Sequence, residues 1–157
     1  MSAREPGSFE RVLDLEGVVV YRVEGVSMRP MLRMDRDIVV IRKPTGRLQK
    51  YDVALYRRQT GNYVLHRVVR VLEDGYIIRG DNCFRDETDI TDAQIVGVLT
   101  QFQRRGKQIS IDAPGYRLYA RLWVASYPLR CVLHTAKGFL TEGLWVHLRN
   151  RKKQDKK

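Results

Sequence analysis

Ser27, His66 and the carboxylates Asp81, Asp86 and Glu87 follow one another along the chain in an order that could support nucleophilic catalysis. A serine hydroxyl is a poor nucleophile at neutral pH until a neighbouring base takes its proton. An imidazole, with an ordinary pKa of about 6.5, is already largely neutral there and able to do so. A carboxylate behind the ring would fix its tautomer and orientation. Each member lies in a punctuated stretch: Gly25-Val26-Ser27-Met28-Arg29-Pro30, His66-Arg67-Val68 and Gly80-Asp81-Asn82. The nearest lysines, Lys43 and Lys50, fall at expected turns, and a lysine base would first need its pKa depressed by burial. Cys83 offers a thiol beside the acidic loop, but a zinc site needs three or four ligands and no convincing set assembles around it and His66. No metal and no other cofactor is expected. His134 and His147 lie in a basic segment and read as surface or packing residues.

A frame must bring these residues together. Val18–Val23, rich in β-branched residues, reads as a strand leading into Gly25-Val26-Ser27. Further strands are expected at 37–42, 52–57, 63–71, 76–79, 95–102 and 108–111, separated by Lys43-Pro44-Thr45-Gly46, Thr60-Gly61-Asn62 and a tight Asp74-Gly75 turn. Residues 80–91 read as a loop. Ser8 can cap a short helix through Phe9, Val12 and Leu13 that Gly17 stops. The pattern predicts a mainly β protein: a coiled, antiparallel, barrel-like sheet with a short N-terminal helix. Beyond Pro114-Gly115 the period changes. Tyr116, Leu118, Tyr119, Leu122 and Trp123, then Leu129, Val132, Leu133, Ala136, Phe139 and Leu140, recur at helical spacing with arginines between them. The expected division is therefore a β-domain over 1–112 and a basic helical extension over 113–157.

Charge sharpens that division. Of a net +11, residues 103–157 carry 13 Lys and Arg against Asp112, Glu142 and Asp155, so the first 102 residues are close to neutral. Such asymmetry points to an anionic partner for the helices, with a membrane surface the leading candidate. No helix-turn-helix, zinc-finger or RNA-binding pattern appears, which disfavours nucleic acid. Two cysteines, Cys83 and Cys131, are too few for a disulfide framework and fit a reducing compartment. No secretory leader and no run of about 18 apolar residues is present. The expected location is the cytoplasm or the membrane periphery.

Four segments together resemble the type I signal peptidases and the self-cleaving repressors of the same superfamily. They are Ser27-Met28-Arg29-Pro30, Tyr51-Asp52-Val53-Ala54-Leu55-Tyr56-Arg57, His66-Arg67-Val68 and Gly80-Asp81-Asn82, spread over residues 18–102 in the family's order. Bacterial-type members place lysine where this chain has His66, so the resemblance is closer to the endoplasmic-reticulum and archaeal type. It implies a serine endopeptidase with Ser27 as nucleophile, His66 as general base and an acidic residue assisting a few positions after the Gly80-Asp81-Asn82 box. Asp86 falls near that position, with Glu87 beside it. Asp81 is the alternative, with a turn-forming structural role open to it. The resemblance also implies an extended polypeptide substrate laid beside the sheet, with small side chains next to the cut and with Met28 and Pro30 near it. Gly25 stands where many relatives carry a serine whose hydroxyl completes the oxyanion hole, leaving the Ser27 N–H as the donor that can be named. The relatives also usually carry an N-terminal membrane anchor. The rival reading is a non-catalytic basic β-domain that binds anionic membrane or nucleic acid.

Overall fold

The computed structural model describes residues 8–136. In chain order the elements are α1 (Ser8–Glu16), β1 (Val18–Arg22), β2 (Ile38–Arg42), β3 (Val53–Arg57), β4 (Tyr63–Leu72), β5 (Gly75–Arg79), β6 (Glu87–Ile90), β7 (Ile95–Arg104), β8 (Lys107–Ser110) and α2 (Pro114–Ala125). The strands form one antiparallel sheet in the order β1-β2-β7-β3-β4-β5-β6, with β8 added to β7. The protein is mainly β, and its sheet stays open, with β1 and β6 at its edges. The expectation of a barrel-like form is corrected to this extent: the two edge strands do not pair with each other.

Two core clusters lie on either side of β3. Val53 and Leu55 join Leu13, Val39, Ile41, Leu99 and Phe102, whereas Ala54 and Tyr56 join Val68, Tyr76, Ile78 and Ile90. The alternation follows from the two-residue period of a strand, and burial on both faces explains why Val53–Tyr56 is a continuous apolar run. α1 ends as the sequence predicts: Gly17, at φ +70°, donates its N–H to the Leu13 carbonyl at 3.0 Å. Leu13 itself is only 1% exposed. Gly97 of β7 makes room for it, because a methyl there would lie 3.2 Å from Leu13 Cδ1 and 2.5 Å from Ile41 Cγ2.

Three features depart from expectation. Residues 80–91 contain a strand, β6, which pairs with β5 at Tyr76↔Ile90 and Ile78↔Glu87. Only Ile90 is buried in it, so its acidic residues masked the pattern. The β4–β5 turn is Glu73-Asp74, with Gly75 already paired to Leu72. The first compact unit continues past residue 112 to Val124, because α2 buries Tyr116 and Ala120 in the main core. Residues 125–136 belong to a second unit, helical over 127–136, where the Arg130 N–H donates to the Ser126 carbonyl at 3.1 Å. The expectations for Phe139, Leu140, Trp145, His147 and the basic tail lie outside the described residues. No described helix is long and apolar enough to cross a membrane.

Leu13→Ala removes the anchor of α1 and leaves a cavity beneath it. A loss of about 2–5 kcal/mol in urea unfolding is expected, and a loss below about 0.5 kcal/mol would contradict the docking of α1.

Candidate active site

Ser27 sits in a tight turn just after β1. Gly25, at φ +78°, turns the chain, the Arg29 N–H donates to the Val26 carbonyl at 3.1 Å, and the Leu32 N–H donates to the Met28 carbonyl at 2.8 Å. Met28, Met31 and Leu32 are buried and root the turn in the core. The Ser27 side chain is left half-buried at the surface.

The Gly80-Asp81-Asn82 segment, following β5, holds this turn from the other side. The Asn82 N–H donates to the Ser27 carbonyl at 2.7 Å, and Asn82 Nδ2 donates to the Val26 carbonyl at 3.3 Å. Gly80 lies at the junction. A methyl there would be 2.7 Å from the Ser27 carbonyl oxygen, 2.8 Å from Cys83 Sγ and 2.9 Å from His66 Nε2. Any larger residue would collide with all three. The Ser27 carbonyl oxygen and His66 Nε2 are therefore no farther apart than the sum of their two distances to that point.

Asp81 is fully engaged elsewhere. Arg67, 0% exposed, donates from Nε to Asp81 Oδ1 and from Nη2 to Oδ2, each at 2.8 Å. Its remaining donors reach the Tyr51 carbonyl and the Tyr116 hydroxyl, each at 3.0 Å, and Met31 Sδ at 2.9 Å. Asp81 thus pins the loop to β4 and does not orient His66. Asp86 does not either, because its carboxylate accepts from Arg79 Nη1 at 2.7 Å. The structure corrects the sequence preference for these two residues: the carboxylate on the ring is that of Glu87. Glu87 Oε1 lies 3.1 Å from His66 Nδ1. Arg58 fixes Glu87 with Nε on Oε2 at 2.8 Å and Nη2 on Oε1 at 2.5 Å. The Tyr56 hydroxyl also lies 3.3 Å from Nδ1.

A carboxylate can only accept, so the negative charge of Glu87 beside Nδ1 favours the tautomer with the ring proton there. In that tautomer Nε2, the nitrogen facing the Gly80 junction, carries the lone pair. Burial pushes the His66 pKa below its ordinary value despite the opposing charge of Glu87. Burial also pushes the Glu87 carboxyl up, but hydrogen bonds from Arg58 and Tyr56 and the nearby His66 outweigh this and leave it below the usual carboxylate range. The pair is thus a neutral imidazole on an ionised carboxylate. Burial and the charge of Glu87 push the Cys83 thiol up, the reverse of what a thiolate nucleophile needs. Among the described residues, no three His, Cys, Asp or Glu side chains are grouped to hold a metal ion.

Ser27 and His66 line one groove of about 400 Å³, with Val23, Met28, Leu55, Leu65, Arg58 and Cys83. No hydrogen bond joins the two side chains; in serine nucleophile sites this contact often tightens only around substrate. Phe9 also lines the groove, packed edge-on between Tyr21 and Tyr63. Met28 belongs to this groove and Pro30 does not. Pro30 borders a separate cavity with Phe102 and Arg104. Lys43 pairs with Asp14 at the surface and Lys50 lies over the Tyr51 ring, both away from the groove.

The groove runs between two strand edges. Among the described residues, β1 is an edge of the sheet and residues 63–66 of β4 pair only with β3, since β5 joins β4 from Arg67 onward. Comparison of the chain with protein-family models, curated proteins and solved structures finds no match in any of the three.

Sequence reading missed Arg58 and Tyr56 and left Glu87 as a neighbour of the preferred residue. The usable signal was the strand period: Ala54, Tyr56 and Arg58 fall two apart, and His66 pairs with Ala54, so His66 and Tyr56 are diagonal neighbours on one face. The imidazole titration of His66, followed by NMR, is expected below about 6.5, and Glu87→Gln should move it lower still, because a charge favouring the imidazolium is lost. With its folded pKa depressed, His66 also makes stability fall as pH drops below about 6.5. An upward shift in Glu87→Gln would contradict the arrangement.

Proposed function

We propose that the chain is a serine endopeptidase of the signal-peptidase kind, cutting a precursor or leader peptide. The observation that carries this reading is His66, paired at Nδ1 with Glu87 at 3.1 Å and turned with Nε2 toward the Ser27 turn. Ser27 Oγ attacks the peptide carbonyl as His66 takes its proton. The tetrahedral intermediate collapses when His66 returns that proton to the leaving amine. Water, activated by the same imidazole, then hydrolyses the acyl-enzyme. The Ser27 N–H makes no hydrogen bond among the described residues and can face the oxyanion. The two unpaired strand edges beside the groove suit an extended polypeptide, whose backbone they can bind with little demand on its sequence. A peptide library read by mass spectrometry should show cleavage by the intact protein and none by Ser27→Ala or His66→Ala, both still folded. Undiminished cleavage by either variant would overturn the proposal.

A second reading concerns where the enzyme works. Leu118 and Leu122 on α2 are 58% and 61% exposed, one turn apart, and the exposed Arg117 and Arg121 flank them. Leucines beside arginines, in a region with 13 cationic residues against three acidic ones, fit an anionic bilayer surface. The protein should float with phosphatidylglycerol vesicles and not with phosphatidylcholine vesicles. Leu118→Ser with Leu122→Ser should reduce flotation several-fold. Equal binding to both vesicle types would contradict this reading.

A further inference from the structure

We propose that Trp123 and Tyr119 of α2 are positioning residues for Ser27, acting through a single peptide unit; the proposal rests on the serine-peptidase reading above. Trp123 Nε1–H donates to the Asp81 carbonyl at 3.1 Å. That carbonyl belongs to the same peptide group as the Asn82 N–H, which donates to the Ser27 carbonyl at 2.7 Å. The 81–82 peptide is therefore held at both ends: by the indole on its oxygen and by the nucleophile's own backbone on its nitrogen. Hydrogen bonds in series polarise one another, so the indole strengthens the contact that fixes Ser27. A planar, rigid peptide also passes on displacement. If its oxygen loses its partner, its N–H tilts and the Ser27 carbonyl is released.

Tyr119 keeps the indole in place. Its ring stacks on Trp123 at 5.9 Å and 18° between planes, and its hydroxyl donates to Asp81 Oδ2 at 3.4 Å. Tyr116, one turn earlier, bonds Arg67, the partner of Asp81. One face of α2 thus meets Asp81 at its carboxylate, its counter-ion and its backbone. None of these α2 side chains lines the groove that holds Ser27 and His66, so their effect is positional. They do not touch the Glu87–His66 pair, and the pKa of the base should not depend on them.

Trp123→Phe keeps an aromatic ring on Tyr119 while deleting the donor. Two readouts on the full chain test the relay: hydrogen exchange of the Asn82 amide by NMR, and the rate at which a p-nitrophenyl ester acylates Ser27 with release of p-nitrophenol. We expect faster Asn82 exchange and acylation roughly three- to tenfold slower, the scale of one lost hydrogen bond, with the pH midpoint of acylation unmoved. Tyr119→Phe should shift both readouts the same way by less, and carries the test should Trp123→Phe not fold. Unchanged Asn82 exchange would overturn the relay. Faster exchange with unchanged acylation would overturn the positioning of Ser27. A wild-type protein inert to the probe would instead sink the peptidase reading, while Asn82 exchange would still test the relay.

Discussion

The buried pair of Arg67 and Asp81 is the constraint on which the site depends. Each is the sequence neighbour of a residue of the candidate site: Arg67 follows His66 on β4, and Asp81 precedes Asn82, whose N–H donates to the Ser27 carbonyl. Joining the two at 2.8 Å brings the strand that carries His66 against the loop whose Asn82 N–H holds the Ser27 turn. Desolvating both charges offsets much of their attraction, so a pair this deep adds little net stability over a well-packed apolar replacement. What it supplies is a fixed geometry. The guanidinium is satisfied by a carboxylate, a carbonyl, a hydroxyl and a thioether, and this set of partners admits few alternative arrangements.

Successive residues of a strand face opposite ways. His66 therefore meets Tyr56 and Glu87, while Arg67 meets Met31, Tyr116 and Asp81. The first environment sets the proton and the second sets the position. Glu87 orients more than it activates. Arg58 already neutralises much of its charge, so burial wins and the imidazole stays neutral near pH 7. A general base has to be in that state before it can accept a proton.

Much of this was legible in the sequence. The β3 run, the long His66 strand and the Ser27 turn announced themselves through β-branched residues and glycines. The acid behind the imidazole did not. Asp86 and Glu87 are adjacent, and in or beside a strand a shift of one residue exchanges inward for outward. Only the register of β6 on β5 decides between them, and β6 was hidden by its acidic composition. The open sheet was beyond reach for another reason: pairing between distant strands is not written in local periodicity. The role of α2 was hidden too, because its helical spacing predicts a helix but not which loop its aromatic face will meet.

The central claim is that a buried, neutral His66 drives the chemistry of a serine it meets only across the fold. The most direct measurement is the pH dependence of Ser27 acylation in the intact protein. The account predicts a rate that rises through one ionisation whose midpoint lies below about 6.5 and coincides with the NMR titration of His66. A rate insensitive to that ionisation, or one that climbs only in the range of lysine or of the free hydroxyl, would contradict it.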